Sequence, residues 1–544
     1  MVLTLFAILI AALAVLGAVA CFVPRLAVTV GSAGICCAAV VLSVAALTGA
    51  GAATLQLPTG PWGAGLHLAL DPLAASFLLL LFLVMPCADT APLPLAAMGI
   101  TALAGDGFTL AVGLLLLGGT TCLRFTASAV VCLIVAFALT GPLGDFAAIR
   151  AAPPEGWRAT VVVLLVLAGA GALCRINTAI AVYLVLRVLF DLCGEGQPLW
   201  WGVPLLLAGG AIAAIGSLRA ALADTLHTAL SVSSLHLFGM AAMALGAALF
   251  ARAADLPSAA SQALDAAWLA LVCHMLCRTL LVRCAGAVES GAGTRRLDRL
   301  GGLIHRMPVT AATCLVGLFA VAVLPPGLGF AAFWLVFQSL LAAARIGGLG
   351  LQLLIVSVTV LAALSVGLAG LAAVRLFGEV FLGRPRTPRT AVAEEPSRPV
   401  GFVLGGLAAL IALLGLLPAL ALLPAAGWTH ETDAISFVIL RTGAETPGYS
   451  PIAVAGLLAV AVIAAWRGLR RTAEQRREPA WSGGFAAQPA WLPFGDPATQ
   501  YGPASFVEPL QRVAAMLPPL AASRRGLIRC RDAVLRTATT LVVR

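Results

Sequence analysis

Whatever proton chemistry this chain can do rests on three histidines and the charged groups spaced around them. His227, His236 and His274 fall inside apolar segments and are its strongest titratable candidates. Histidine suits a relay because its pKa lies near neutrality, where modest changes of surroundings move it across the working range. Asp224 precedes His227 by three residues, which puts both on one helical face and within reach of pairing. Arg278 follows His274 by four and shares its face in the same way. Arg375 stands near the end of a later apolar run. Arginine keeps its proton, with a pKa above about 12, so Arg175, Arg278 and Arg375 can oppose a nearby proton but not pass one on. His227 and His236 are nine residues apart. At about 100° per residue they face opposite sides, so one straight helix cannot present both to the same path. His236 reads first as a core histidine hydrogen-bonded to its neighbours.

The chain contains no lysine, and its 23 acids lie mostly at segment ends or in loops, Asp106 and Asp224 coming nearest to a mid-span position. A charge at the centre of a spanning helix costs roughly 2.5 kcal/mol or more, so such residues imply a protein-lined route or the remains of one. The run VTAATCLVGLFAVAVLPPGLGFAAFWLVFQ makes the same point through its backbone. Pro325, Pro326, Gly327 and Gly329 interrupt it, leaving peptide groups that lipid cannot satisfy.

The elements that must position these groups are membrane helices. The 544 residues are 61% hydrophobic and only 10% charged, with a mean hydropathy of +1.04. A soluble chain would carry about 25% charge. Apolar segments about 20 residues long recur throughout, which predicts an all-α polytopic membrane protein and excludes an outer-membrane barrel. The net charge of +10 comes from arginine and orients loops rather than binding nucleic acid. The 13 cysteines include no C-x-x-C pair and sit mostly in apolar segments, so no metal site is expected. No nucleotide or cofactor motif is present, and the G-x-G at 327–329 is not a phosphate loop. No catalytic residue is assigned.

The N-terminal apolar run is too long for a typical signal peptide and is expected to be the first span. Further spans are expected at 28–50, 70–87, 92–104, 107–123 and 125–141 and onward along the chain, with 51–69 an external loop. Basic clusters at 283–306, 384–398 and 467–544 are expected on the cytoplasmic side. Three apolar runs lie between the first two clusters, whereas an even number of crossings is needed, so one is expected to be a half-span or re-entrant. The total comes to about fourteen crossings. Expected divisions are N-terminal helices over 1–90, a core over 91–382, C-terminal helices over 383–470 and a basic tail over 471–544.

The stretch AGAVESGAGTRRLDRLGGLIHRMPVTA, followed by LPPGLGFAAFWLVFQ, resembles the antiporter-like membrane subunits of proton-pumping complexes. That superfamily takes in the large membrane subunits of respiratory complex I and of Mrp antiporters. The branch it resembles most is hydrogenase-4 component B and formate hydrogenlyase, because Ser505-Phe506-Val507-Glu508-Pro509-Leu510 matches a signature of that branch, although Ser482 replaces its nearby cysteine. The resemblance implies pseudo-symmetric helical halves, a bacterial inner-membrane location, and membrane and peripheral partner subunits carrying the redox chemistry. It also exposes losses. Leu115 and Leu116 stand where the branch has Trp-Glu, and Ala179 stands at its channel lysine. The segment of the broken helix before Arg175 is missing. His227 and His236 fall at a family lysine and glutamate, Arg278 and Arg375 at family lysines, while His274 is retained. Arg187 matches a family arginine and is expected to snorkel from its helix end. Two readings follow: a proton-translocating subunit with histidines in place of lysines, or a paralogue that keeps the packing surfaces and has lost conduction. A stand-alone cation antiporter is a weaker third.

Overall fold

The computed structural model describes residues 2–20, 23–49, 53–57, 65–88, 90–120, 123–140, 146–174, 177–194, 197–429, 440, 448–472, 507–510 and 512. Arg175, Ser482 and the tail apart from 507–510 and 512 lie outside the described residues. Among those described, eight helices are long and apolar enough to cross a membrane, and seven more apolar helices run 10–17 residues. The chain is a multi-pass helical membrane protein.

Helices α1 (Val2–Ala18) and α2 (Arg25–Gly49) lead to a small antiparallel hairpin, β1 (Ala53–Leu57) and β2 (Leu66–Leu70), in register Leu55 to Leu68. The segment expected as plain loop is therefore partly a sheet. Its alternating apolar residues explain this, Leu68 and Leu70 turning inward to burial. Asp71 then caps α3 (Pro72–Val84), accepting from the Ala74 amide at 2.8 Å. Two short helices, α4 (Pro92–Ala102) and α5 (Gly107–Thr120), form a helical hairpin around Asp106. That aspartate accepts from the Thr109 amide at 2.6 Å, so it is a helix cap rather than a mid-span acid. Next come α6 (Leu123–Thr140), α7 (Phe146–Ala151), α8 (Gly156–Leu173) and α9 (Thr178–Val185), the last continuing as a π-helical turn, Leu186–Leu192.

Glycines at a seven-residue spacing hold the centre together. α10 (Gly202–Leu222) runs antiparallel to α12 (Leu235–Ala253). Gly202 and Gly209 of α10 face Gly246 and Gly239 of α12 so closely that a Cβ on Gly209 would lie 2.6 Å from the Gly239 carbonyl oxygen. Small residues let membrane helices approach to this distance. Gly209→Ala is therefore expected to cost about 1–3 kcal/mol by overpacking. Gly171→Ala, in open space, should stay within about 0.5 kcal/mol in the same denaturation assay.

Between α10 and α12 lies a short helix, α11 (Leu226–Ser233), and the chain then turns into the long α13 (Pro257–Ala292). The interrupted run follows as α14 (Pro308–Val321) and α15 (Leu328–Ala343), with Pro325 and Pro326 between them. Both lie against α13: in α14, Thr313 is beside Cys284 and Gly317 beside Leu280 and Leu281, while Ile346, just past the end of α15, clusters with Ala260 at the start of α13. The two pieces thus advance in one direction along α13. Of the two alternatives, half-span or re-entrant, the packing fits the half-span: together they make one discontinuous crossing, and α16 (Leu349–Phe381) returns. The even number is recovered.

After α17 (Pro388–Ala391) come α18 (Arg398–Leu416), α19 (Ala419–Leu422), α20 (Ala426–Thr429) and α21 (Pro451–Thr472). Glu395 ties the loop before α18 to the start of α14, accepting from the Val309 amide at 2.6 Å and the Thr310 hydroxyl at 2.9 Å. The bundle has two recognisable ends. The basic-loop end holds 294–306 and 384–398, and the hairpin end holds β1–β2 and the starts of α3 and α13.

Candidate functional site

Ser234 breaks the helix between α11 and α12, and two buried histidines gather at that break. His236 Nδ1 lies 2.9 Å from the Ser233 carbonyl oxygen, and His274 Nδ1 of α13 lies 2.8 Å from that of Ser234. Each histidine thereby satisfies a carbonyl freed by the broken helix. Phe238 packs on the His274 ring with centroids 5.6 Å apart. His236 and His274 are both fully buried. His236 Nε2, His274 Nε2 and Ser234 Oγ are left without a partner among the described residues. One turn further along α13, Arg278 is partly buried and has no ion pair or hydrogen bond among the described residues. The structure thus brings His236, His274 and Arg278 into one region of the core.

It does not bring Asp224 and His227 there. Both are exposed at the basic-loop end, where the Asp224 carbonyl accepts from the Leu297 amide at 3.2 Å. No ion pair joins them among the described residues, because the chain bends at Thr225 to bridge Arg296 before α11 begins. The shared helical face expected from their spacing does not exist, since Asp224 precedes the helix.

Arg375 is deeply buried, and sequence reasoning overlooked its partner. Its Nε lies 3.4 Å from Glu379 Oε1, and both side chains are 1% exposed. Arg375 Nη1 also donates to the Ala221 carbonyl at the end of α10. Glu379 Oε2 is buried without a partner among the described residues. The four-residue spacing in RLFGE was the available signal. Leu510, in the short helix formed by part of the tail signature, packs against Ala220, Ala221 and Ala372 at this same seam.

The largest polar network lies elsewhere, at the hairpin end. Arg187 is only 2% exposed, so it does not snorkel as expected. Its Nη1 donates to Asp71, and its Nη2 donates to Asp71 Oδ1 at 2.9 Å. The same Nη1 reaches Asp191 Oδ2 at 2.7 Å, which the π-helical turn makes possible by placing both residues on its inner side. Arg150 closes the set with two bonds to Asp191, at 2.7 and 2.6 Å. The Tyr183 hydroxyl accepts from Arg187 at 2.9 Å and donates to the Ala102 carbonyl at 2.8 Å. Beside it, Tyr183, Phe77 and Trp268 form an aromatic column with both centroid spacings 5.3 Å.

Ala179 is fully buried in the first turn of α9, behind the Asn177 cap. Leu116 points outward and is 42% exposed. α5, α8 and α9 carry no aspartate, glutamate, lysine or histidine. No cluster of metal ligands occurs among the described residues.

Residues 131–362 match the family model described as NADH:quinone oxidoreductase/Mrp antiporter, transmembrane. That match covers under half of the chain. The chain is 29% identical to hydrogenase-4 component B of Escherichia coli K12 over 64% of its own length and 53% of that protein's. It is 33% identical to formate hydrogenlyase subunit 3 of the same organism, over 40% of this chain and 36% of that one. It therefore spans about half or less of these curated relatives. A chain of the membrane-bound sulfane sulfur reductase, an archaeal respiratory membrane complex, shares the fold with a TM-score of 0.74 at 17% identity, over 97% of this chain and 95% of that one. The shared fold thus extends well beyond the matched segment.

Proposed function

We propose that this chain is an integral membrane subunit of a hydrogenase-4-like or complex I-like redox assembly, and that it serves there as a scaffold rather than a proton conduit. One observation carries the reading: the helices α5, α8 and α9, with Ala179 among their buried residues, carry no carboxylate, lysine or histidine, and the buried Asp106 is held at the start of α5 as its cap. A proton cannot hop across such a stretch without titratable side chains or a water chain, and an apolar lining disfavours water. Among the described residues, the buried arginines are paired for packing: Arg187 with two aspartates, and Arg375 with Glu379. In this reading the core over 91–382 provides the bundle, 1–90 and 383–470 flank it, and the basic tail over 471–544 contacts a peripheral subunit. The membrane is a bacterial-type cytoplasmic membrane.

A second reading has one observation in its favour. The Nε2 atoms of His236 and His274 and the Ser234 hydroxyl are buried without partners among the described residues. Water placed between them would join His236 and His274 into a local relay in the second half, with Arg278 as the neighbouring charge, while His227 and Asp224 stay exposed at the basic-loop end.

Affinity purification of the tagged full chain from its native membranes tests the subunit assignment. Hydrophobic membrane subunits and a peripheral redox subunit should copurify in fixed ratio, with redox centres only on the partners. Recovery of the chain alone, carrying stoichiometric flavin, haem or iron–sulfur, would defeat it.

A further inference from the structure

A cavity of about 710 Å³ opens at the hairpin end, where α3 and α13 begin and α12 ends. Its inner wall is the Asp71–Arg187–Asp191–Arg150 network, and its rim includes Asp255, Leu256 and Pro257, all exposed. Three arginines, Arg150, Arg187 and Arg252, are balanced in its lining by three aspartates, Asp71, Asp191 and Asp255. The remaining wall is largely apolar. Arg187 is spent on its aspartates, and Arg150 turns two of its nitrogens to Asp191. Arg252, in the last turn of α12, donates to the Phe190 carbonyl at 2.6 Å and stands at the cavity side. Asp255 is held in the left-handed region at φ 55, and its carboxylate has no hydrogen bond or ion pair among the described residues. The depth is that of lipid headgroups: α13 begins here and has 36 residues. Such a helix runs about 54 Å, well beyond the roughly 30 Å hydrocarbon core.

We propose that this cavity binds the headgroup of a zwitterionic phospholipid, with its ammonium at Asp255 and its phosphate against Arg252 and Arg150. Charge decides between lipid classes. An anionic headgroup of one phosphate brings no cation to meet Asp255, whereas a zwitterion meets the balanced lining of described residues with both of its own charges. The acyl chains would leave past Leu256 and Leu264 towards the bilayer.

The test uses the full chain with its copurifying subunits, exchanged into nanodiscs of equal phosphatidylethanolamine and phosphatidylglycerol. Retained lipid is then counted by native mass spectrometry. The wild type should keep phosphatidylethanolamine in excess. Asp255→Asn preserves a side chain that tolerates left-handed backbone and removes only the charge. It should lower the phosphatidylethanolamine-to-phosphatidylglycerol ratio by roughly threefold, with thermal unfolding unchanged. Asp224→Asn, at an exposed acid on the opposite end, should leave the ratio alone. Equal retention of the two lipids by the wild type, an unaltered ratio in Asp255→Asn, or the same shift in Asp224→Asn would overturn the assignment.

Discussion

Arg187→Met should destabilise the protein by about 3 kcal/mol, the low end of the range for removing one partner of a buried pair. The substitution keeps most of the side-chain volume but leaves Asp71 and Asp191 facing each other without the guanidinium between them. Those carboxylates are 21% and 26% exposed, so water and Arg150 take up part of the loss, which is why the low end applies. Denaturant unfolding in detergent, followed by tryptophan fluorescence, measures it. Trp268 and Trp428 lie close to the network and report its loss. Adding Asp71→Asn to Arg187→Met should recover part of the stability by removing one of the repelling charges. A change below about 1 kcal/mol in Arg187→Met would mean that the network is decoration.

The second large effect concerns Arg375. Replacing it by methionine leaves Glu379 buried with neither oxygen paired among the described residues and frees the Ala221 carbonyl. A loss of about 3–5 kcal/mol is expected. Glu379→Gln keeps an acceptor for the guanidinium and retains the bond to Ala221, so its cost should be about 1–2 kcal/mol. Because Leu510 packs on the same seam, the arginine variant should also release the tail helix, seen as faster proteolysis near 507–510. Equal costs for the two substitutions would show that the charge pairing contributes nothing beyond packing.

The helical membrane fold was legible because hydropathy reports it residue by residue, and LPPGLG marked the interrupted crossing. The direction taken after that interruption was not, since only packing against α13 decides whether a chain continues or turns back. His236 and His274 were found because histidines in apolar runs are few. Their meeting at Ser234 was hidden, as it depends on a helix break that the sequence SSLHLF does not announce. Asp224 and His227 failed for the opposite reason: a three-residue spacing promises a shared face only if both residues are helical. Glu379 was missed through attention to distance from segment ends, although its helix extends far enough to bury it. Asp71 and Arg187 are separated by 116 positions, and nothing local connects them.

Proton translocation itself decides between scaffold and relay. The assembled complex, wild type or His274→Ala, is reconstituted into liposomes, and the pH gradient formed per electron transferred is recorded. The scaffold account predicts the same ratio for both, with any effect of the substitution confined to stability or assembly. Loss of pumping in His274→Ala while the complex remains fully assembled would contradict it and establish the histidine relay.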